Sequence, residues 1–581
     1  MRQYTRLLLV CVWLVAGAGA LRAAPNVAAT LQYASLDRLR HAYQAAIDAC
    51  SQALAGLPEN PDLLTARGLA YVMLPDYDKA LADFNAALQA QPGMLLASYG
   101  RGLVYQGQGQ AEQARAEWQS VVDQATAAVE AQPRDGRAWE ARARAREALG
   151  QRDPALDDYG HALYWQPNNA ELFDHRAWLY AATGKTDNAL LDFTWALKLD
   201  PQLVDAYAGR AALYSKPPAD WAKVVDAETQ ILGITPNDAT AWLNRGMAYV
   251  QQGQLQPAVA QFTQAITLDP KLVGAWYQRG VTQRMIGNFD VAISDFSQVI
   301  ALAPQLAAGY LERGKTYQFG QRDLDHAFPD YTAAIQVDPR CLEAYLARAS
   351  IYRTTKQWKL VLQDLDVALT IDPKCELADI DEGWAHYELK EYDAALAAFS
   401  AALAVNPNNP NSYNGRGYVY EAQGDFPSAK VEFTQSITVD TNFSAGYYNL
   451  GYIAQIFGDY PMAIRDYTQA IITNPDNSAA YVARGVIYTT LAGKAGRDVD
   501  AAAANYALAI DDYTKSLELG PPNPLALLNR GYAYTTLKRW AEAQADWQKC
   551  AQLDPRGSAG RSAQANLGVL ANMEAQAQRQ R

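Results

Sequence analysis

Apolar residues recur along the chain at helical spacing, and this pattern itself repeats about every 34 residues. A clear copy covers residues 239–272. Within it, Trp242, Gly246 and Tyr249 stand at i, i+4 and i+7, so they share one face of a helix. The first half of the copy therefore predicts a short amphipathic helix.

The second half of the same copy predicts another helix. Ala258, Phe262 and Ala265 share a face at i, i+4 and i+7. Gly253 lies between the two patterns as a helix breaker, and Pro270 ends the second one. Small residues allow two helices to approach closely, and aromatic rings fill the remaining space. Each copy is thus expected to form a helical hairpin.

The next copy, residues 273–306, repeats these positions in register. The equivalent residues are Trp276, Gly280, Ala292, Phe296 and Pro304. One hairpin cannot bury its apolar face alone, whereas stacked hairpins share a continuous core. A period of this length predicts a solenoid, which offers an extended surface instead of one enclosed pocket.

The pattern resembles the tetratricopeptide repeat, which has a bulky residue at position 4, a small one at 8, Tyr at 11, Ala at 20 and 27, an aromatic at 24 and Pro at 32. Position 8 is occupied by Gly68, Gly102, Ala143, Ala177, Ala211, Gly246, Gly280, Gly314, Ala349, Gly383, Gly417, Gly451, Gly485 and Gly531. The closing prolines are Pro58, Pro92, Pro133, Pro167, Pro201, Pro236, Pro270, Pro304, Pro339, Pro373, Pro407, Pro475, Pro521 and Pro555. Two copies depart from the pattern: one has Thr441 in the proline position, and the first fits only in its second half.

This resemblance implies an all-α fold, a right-handed superhelical solenoid of about fifteen helix-turn-helix repeats. It also divides the chain. We expect a degenerate repeat or cap over residues 21–60, the repeat array over 61–557, and a C-terminal capping helix and tail over 558–581.

Residues 1–20 have the composition of a secretory signal peptide. Arg2 and Arg6 give a positive start, residues 7–15 form a short apolar run, and Ala18 and Ala20 suit cleavage after position 20. The alternative is an uncleaved anchor. The Ala- and Gln-rich composition is typical of bacteria, so we expect export across the inner membrane to the periplasm, without a membrane span after cleavage.

The cysteines predict neither disulfides nor a metal site. Cys50 and Cys550 occupy apolar core positions of the repeat, and Cys341 and Cys375 occupy equivalent positions in adjacent copies. Stacked helices lie about 8–10 Å apart, which exceeds the roughly 7 Å that a disulfide tolerates between Cα atoms. We expect four free thiols.

The formal net charge is −12, so the protein has no general attraction for nucleic acid. Arginine nevertheless recurs at position 7 in twelve of the fourteen well-formed copies: Arg67, Arg101, Arg142, Arg176, Arg210, Arg245, Arg279, Arg313, Arg348, Arg416, Arg484 and Arg530. Position 23 is acidic in eleven: Asp83, Glu117, Asp158, Asp192, Asp295, Asp330, Asp364, Glu432, Asp466, Asp512 and Asp546. We predict ion pairs between the two helices of a repeat; the alternative is an arginine ladder that binds partner carboxylates.

No catalytic motif stands out from the repeat. The five histidines are scattered, and no metalloprotease, nucleophile-elbow, phosphate-loop or dinucleotide motif is present. We predict a non-catalytic scaffold or adaptor, without cofactor or metal, that binds other proteins or extended peptide segments. The alternatives are an accessory role in envelope or exopolysaccharide assembly and an enzyme with a site in the groove.

The family places positions 2, 5, 6, 9 and 12 of each first helix towards its ligand. This chain has no lysine set there for binding a peptide carboxylate. The candidate partner-binding residues are Trp178, Asn244, Trp384, Tyr418, Tyr448, Asn449, Tyr452, Asn529 and Tyr532. Aromatic side chains suit recognition because they bury a large area at little entropic cost. The alternative is that they pack against neighbouring repeats.

Two copies are longer than the rest. The copy that starts at Leu95 has seven extra residues, and we expect them to lengthen its second helix. The copy that starts at Ser478 has twelve extra residues around 492–497, where a surface loop is expected. Either insertion serves binding or is tolerated variation.

Overall fold

The computed structural model describes residues 43, 44 and 46–579, and no strand occurs among them. The predicted signal peptide and the first half of the first repeat lie outside the described residues. By contact density the chain divides into two compact units, one ending at Ala344 and the other beginning at Tyr345.

Helices alternate between a first helix (A) and a second helix (B) in fourteen successive pairs after a helix at 46–56. In the first unit the pairs are Pro61–Met73 with Tyr77–Ala90, Leu95–Gly107 with Ala111–Ala131, Gly136–Ala148 with Arg152–Trp165, Ala170–Ala182 with Thr186–Leu199, Val204–Tyr214 with Trp221–Ile234, Ala239–Gln251 with Leu255–Leu268, Val273–Ile286 with Phe289–Leu302, and Ala307–Lys315 (continued by a π-helical turn, Thr316–Gln321) with Leu324–Val337. The later pairs are Leu342–Thr354 with Trp358–Ile371, Glu376–Glu388 with Tyr392–Val405, Pro410–Ala422 with Phe426–Val439, Ser444–Ile456 with Tyr460–Thr473, Ser478–Lys494 with Val499–Leu519, and Pro524–Thr536 with Trp540–Leu553. A last helix covers Ser558–Arg579. The predicted all-α solenoid of helical hairpins is confirmed.

Close contact between helices A and B explains the small residue at position 8. A Cβ atom on Gly246 would lie 2.5 Å from Cε1 of Phe262, whose side chain is fully buried. The turn between the helices passes through Gly253, with φ of +73°, in the left-handed region that glycine adopts without strain. In this copy the close approach of Phe262 favours glycine at position 246, and the left-handed backbone favours glycine at position 253.

The connection between repeats is closed by side chains. Asp238 caps helix Ala239–Gln251 by accepting hydrogen bonds from the backbone N–H groups of Thr240 and Ala241. The indole Nε1 of Trp242 donates to the carbonyl of Pro236 at 2.9 Å. The aromatic residue at position 4 thus fixes the preceding turn as well as filling the core.

The predicted ion pairs are present in all ten copies that carry both residues. In the pair Arg279–Asp295 the acid is 1% exposed in its side chain. The same guanidinium donates to Oγ1 of Thr263, on helix B of the preceding repeat, at 3.2 Å. The arginine therefore links two adjacent repeats and is satisfied within the chain, which is the structural role that we predicted.

Both insertions extend helices. The seven extra residues lengthen helix Ala111–Ala131 to 21 residues, as predicted. The expectation of a surface loop in the copy that starts at Ser478 is wrong. Helices Ser478–Lys494 and Val499–Leu519 are 17 and 21 residues long, and only a short turn separates them. Alanine-rich sequence on both sides of Gly493 and Gly496 carries the helices into the insertion.

The last helix packs on the final repeat through Ala563 and Leu570, which are buried with Trp547 and Cys550. Cys50, Cys341, Cys375 and Cys550 are free thiols, as predicted. Over the part of the chain that the structure describes, no helix is long and apolar enough to cross a membrane.

Candidate partner-binding face

Three consecutive A helices of the second unit carry most of the predicted binding residues. Helix Glu376–Glu388 contacts helix Pro410–Ala422, which contacts helix Ser444–Ile456. We call their exposed side the A-helix face. Position 9 of these helices is occupied by Trp384, Tyr418 and Tyr452, so the three aromatic side chains form a row with one member in each repeat.

Two of the position-9 rings, Trp384 and Tyr418, rest edge-on against the buried position-24 ring of their own helix B. The centroids of Trp384 and Phe399 lie 5.3 Å apart, and those of Tyr418 and Phe433 lie 5.7 Å apart. Both contacts are nearly perpendicular, which is a favoured arrangement of aromatic pairs. One edge of each ring thus belongs to the core, while the remainder faces outwards.

Ring contacts join the first two repeats of the row. The ring of Trp384 lies 5.7 Å from that of Tyr387, on its own helix, and 5.7 Å from that of Tyr418, on the next. Tyr452, in the following repeat, is 38% exposed. Packing therefore accounts for part of the aromatic area at this face and leaves part of it exposed, and partner binding by these residues stays a prediction.

Asn449 is placed differently from the expected binding amide. It is 2% exposed. Its Oδ1 accepts a hydrogen bond from the Tyr418 hydroxyl at 3.1 Å, and its Nδ2 donates to Oδ1 of Asn414 at 2.8 Å. Asn449 thus holds Tyr418 in place from beneath the face. Nearby Tyr448 is half-buried, with its ring 5.6 Å from that of Tyr467.

Acidic residues on this face were missed in the sequence. Asp381, at position 6, is paired with Arg353 of the preceding repeat at 2.5 Å. Glu421, at position 12, is half-buried, and burial raises its pKa. Burial and the charge of Glu421 both raise the pKa of Tyr387. The repeat register places both acids on the face, and that register is the signal that could have found them.

The last repeat repeats the position-9 arrangement. Tyr532 is 42% exposed, and its ring lies 5.5 Å from that of Trp547. Asn529 is half-buried and lies near Tyr513. Burial raises the pKa of Tyr513, and the neighbouring amide of Asn529 lowers it. In this repeat too, the position-9 aromatic side chain is exposed, whereas the asparagine lies against a buried tyrosine.

In the first unit, Trp178 lines a cavity of about 440 Å³ on the A helices of the early repeats. Its ring packs edge-on against Phe193, 5.5 Å away. The cavity wall carries the ion pair of Arg144 and Glu140, at 2.7 Å, and Glu147, which accepts a hydrogen bond from buried Tyr159. Its lining is therefore acidic and aromatic, like the face in the second unit.

Asn244 lies apart from both sites. It is half-buried and donates from Nδ2 to Oε1 of Glu228 at 3.2 Å. Glu228 occupies the position that an aromatic ring fills in other repeats, which explains why an amide faces it. Within the described residues, no group of three or more His, Cys, Asp or Glu side chains could hold a metal ion.

Four segments of the chain match family models of a repeat. Residues 239–272, 444–477 and 35–95 each match a model described as tetratricopeptide repeat, and residues 383–424 match a model described as TPR repeat. The chain carries tetratricopeptide repeats. No curated protein matches the chain.

Several solved tetratricopeptide and related chains are similar to this one. The structure described as the APC/C hetero-tetramer Cut9-Hcn1 is 15% identical over 83% of this chain and 98% of that chain, with a TM-score of 0.38. A tetratricopeptide repeat protein from Parabacteroides merdae is 17% identical over 43% and 98%, with a TM-score of 0.37. YrrB, described as a TPR protein with an unusual peptide-binding site, is 22% identical over 33% and 97%, with a TM-score of 0.30.

Proposed function

We propose that this protein is a non-catalytic scaffold that binds extended segments of partner proteins along its A-helix face. The observation that carries the proposal is the exposure of aromatic side chains at position 9. Tyr452, in the row, is 38% exposed, and Tyr532, in the last repeat, is 42% exposed. An interface gains most of its affinity from such rigid, amphipathic side chains when a partner buries them. The tetratricopeptide repeats support the same general role.

The A-helix face also suits an extended ligand more than a compact one. Position-9 residues recur once per repeat, so equivalent contacts follow one another along the stack. Asn449 accepts a hydrogen bond from Tyr418 and is itself bonded to Asn414, so the Tyr418 side chain is already ordered. Less conformational entropy is therefore lost when a partner binds. A pre-arranged row of this kind can contact successive residues of a partner segment.

Site-specific photo-crosslinking tests the proposal. A photoreactive phenylalanine analogue would replace Tyr452 in the full-length protein in its native compartment, and Val431 in a matched control. Val431 is 66% exposed but lies on helix B, away from the A-helix face. Partners captured from position 452 and not from 431, and lost when Trp384 and Tyr418 are both changed to alanine, would support the proposal. Equal capture from both positions would contradict it.

Export is the second part of the proposal. It is supported by the positive start at Arg2 and Arg6, the apolar run over residues 7–15, and the small residues Ala18 and Ala20. Intact mass and N-terminal sequencing of the protein from fractionated cells test it. A chain that begins at residue 21 in the periplasmic fraction is expected; a full-length chain confined to the cytoplasm would contradict export. The partners captured by crosslinking then decide whether the role lies in envelope or exopolysaccharide assembly.

A further inference from the structure

The carboxylate of Glu421 lies on the A-helix face of the second unit, at position 12 of its repeat. It accepts no hydrogen bond from any residue that the structure describes, although it is half-buried at the end of helix Pro410–Ala422. Burial raises its pKa, with no compensating donor or positive charge. A partly desolvated carboxylate without a partner is unfavourable, and a cation that approached it would be bound by its charge.

The chain shows elsewhere how such a position is satisfied. In the first unit, Arg284 at position 12 donates to Glu312 at position 6 of the next repeat, at 2.9 Å. In the second unit, Arg353 and Asp381 form the same pair across 28 residues. At both places an acid and an arginine meet between adjacent A helices.

At Glu421 this arrangement is reversed and incomplete. The acid itself stands at position 12, and the residue 28 positions later is Asn449, whose amide is already engaged by Tyr418 and Asn414. The five face positions in each of the three repeats from residue 376 to 477 contain no Lys or Arg. The guanidinium that accompanies an acid in the other two repeats is therefore missing from the chain here.

Aromatic side chains lie near Glu421, whose charge contributes to the raised pKa of Tyr387 and of Tyr418. Tyr418 precedes Glu421 by three residues on the same helix, so the two side chains are neighbours. Tyr387 occupies position 12 of the preceding repeat, and the ring of Trp384 lies between Tyr387 and Tyr418, 5.7 Å from each. A guanidinium can stack on such rings while it donates to a carboxylate, which an ammonium group cannot do with the same planar geometry.

We propose that Glu421, with Trp384, Tyr387 and Tyr418, forms a pocket that takes an arginine side chain of the bound partner segment. The inference rests on the proposed function, because it names the chemistry that the A-helix face selects. The incoming guanidinium stacks on the aromatic rings and donates hydrogen bonds to the carboxylate of Glu421, in place of the arginine that the chain supplies at Glu312 and Asp381.

Two fluorescein-labelled nonapeptides of alternating serine and leucine test the pocket. They differ only at the central residue, which is arginine in one and citrulline, its neutral and nearly isosteric analogue, in the other. We expect the full-length protein to bind the arginine peptide about tenfold more tightly by fluorescence anisotropy, which corresponds to one charge-assisted contact of about 1.4 kcal/mol. Equal dissociation constants, or failure of both peptides to bind, would overturn the proposal.

The variant E421Q locates the effect. It removes the charge and keeps the shape, so the preference for arginine should fall to about twofold or less. D393N removes one charge from an exposed position on helix Tyr392–Val405 and should leave the tenfold preference intact. An unchanged preference in E421Q would refute the pocket. If E421Q also captured the same partners in the crosslinking experiment as the unmodified chain, the binding face would stand and only the arginine pocket would fall.

Discussion

The guanidinium of Arg279 donates two hydrogen bonds to the carboxylate of Asp295, from Nε at 2.9 Å and from Nη2 at 2.7 Å. Asp295 is fully buried, and burial raises its pKa while the hydrogen bonds from Arg279 lower it. Replacement of Arg279 by alanine leaves this carboxylate buried without a counter-charge. We expect a loss of about 3–5 kcal/mol in the free energy of unfolding, measured by urea denaturation.

A double-mutant cycle separates the pair from its surroundings. Asp295→Ala and the double variant complete the cycle. A coupling energy of about 0.5–3 kcal/mol is expected for residues in contact. Arg245 offers a matched control, because it occupies the same position but donates to the neutral Oε1 of Gln261. Arg245→Ala should cost less than Arg279→Ala. Additive single losses would exclude a coupled pair.

Gly246 is expected to tolerate a methyl group poorly in its own copy, although other copies have alanine at position 8. A Cβ atom on Gly246 would fall 2.5 Å from the ring of Phe262, which is fully buried. Gly246→Ala should therefore destabilise the protein by about 1–3 kcal/mol through overpacking.

Gly233 provides the control for that substitution. It lies in helix Trp221–Ile234, and a Cβ atom there would meet nothing within 4 Å. Gly233→Ala should be neutral or stabilise by up to about 1 kcal/mol, since alanine loses less backbone freedom on folding. Thermal melting of the two variants distinguishes the effects, and a destabilisation of equal size in both would argue against a specific clash at Gly246.

The fold could be predicted because both residues of each main contact belong to the repeat and recur at a fixed spacing. Gly246 and Phe262, or Arg279 and Asp295, recur sixteen residues apart in many copies, so the register alone pairs them. The length of the period then dictates how the hairpins stack. The predicted ion pairs and helical hairpins needed no further information.

The binding face could be predicted only in part, because its contacts depend on side-chain geometry between repeats. Asn449 looked available, but Tyr418 and Asn414 engage it from positions 31 and 35 residues away. Glu421 is not among the predicted binding residues, and only the structure shows it half-buried, with Asn449 bonded to Tyr418 and Asn414 instead. The insertion around Gly493 is expected to form a loop because insertions in solenoids usually lie in loops, whereas the alanines near it extend both helices.

The hydroxyl group of Tyr418 should contribute measurably to stability. It donates to Asn449 at 3.1 Å, and Asn449 is 2% exposed, so Tyr418→Phe leaves a buried amide oxygen without this donor. We expect a loss of about 1–3 kcal/mol in urea denaturation. Tyr532→Phe alters the same chemical group at a 42% exposed position and should change stability by no more than about 0.5 kcal/mol. Similar losses in both variants would contradict the role assigned to Asn449.

Asp379 should make the stability of the second unit depend on pH. Burial raises its pKa to about 6, and the charges of Glu382 and Glu376 contribute in the same direction. Because this pKa lies above the ordinary value, the folded chain binds a proton more readily than the unfolded chain. Stability is therefore lost as the pH rises from about 4 to about 6, and the full cost of the charge is present at pH 7.

Asp379→Asn removes that cost and reveals its size. The variant should be more stable than the unmodified protein at pH 7 by up to about 3 kcal/mol, since the pKa lies about two units above the ordinary value and one unit corresponds to about 1.4 kcal/mol. The advantage should disappear near pH 4, where the wild-type carboxyl group is already protonated. Melting curves of both proteins at several pH values measure this difference, with Asp393→Asn as an exposed control for the change in net charge. A stability difference that stayed constant from pH 4 to pH 7 would show that Asp379 titrates normally, and the burial of this carboxylate would then carry no energetic penalty.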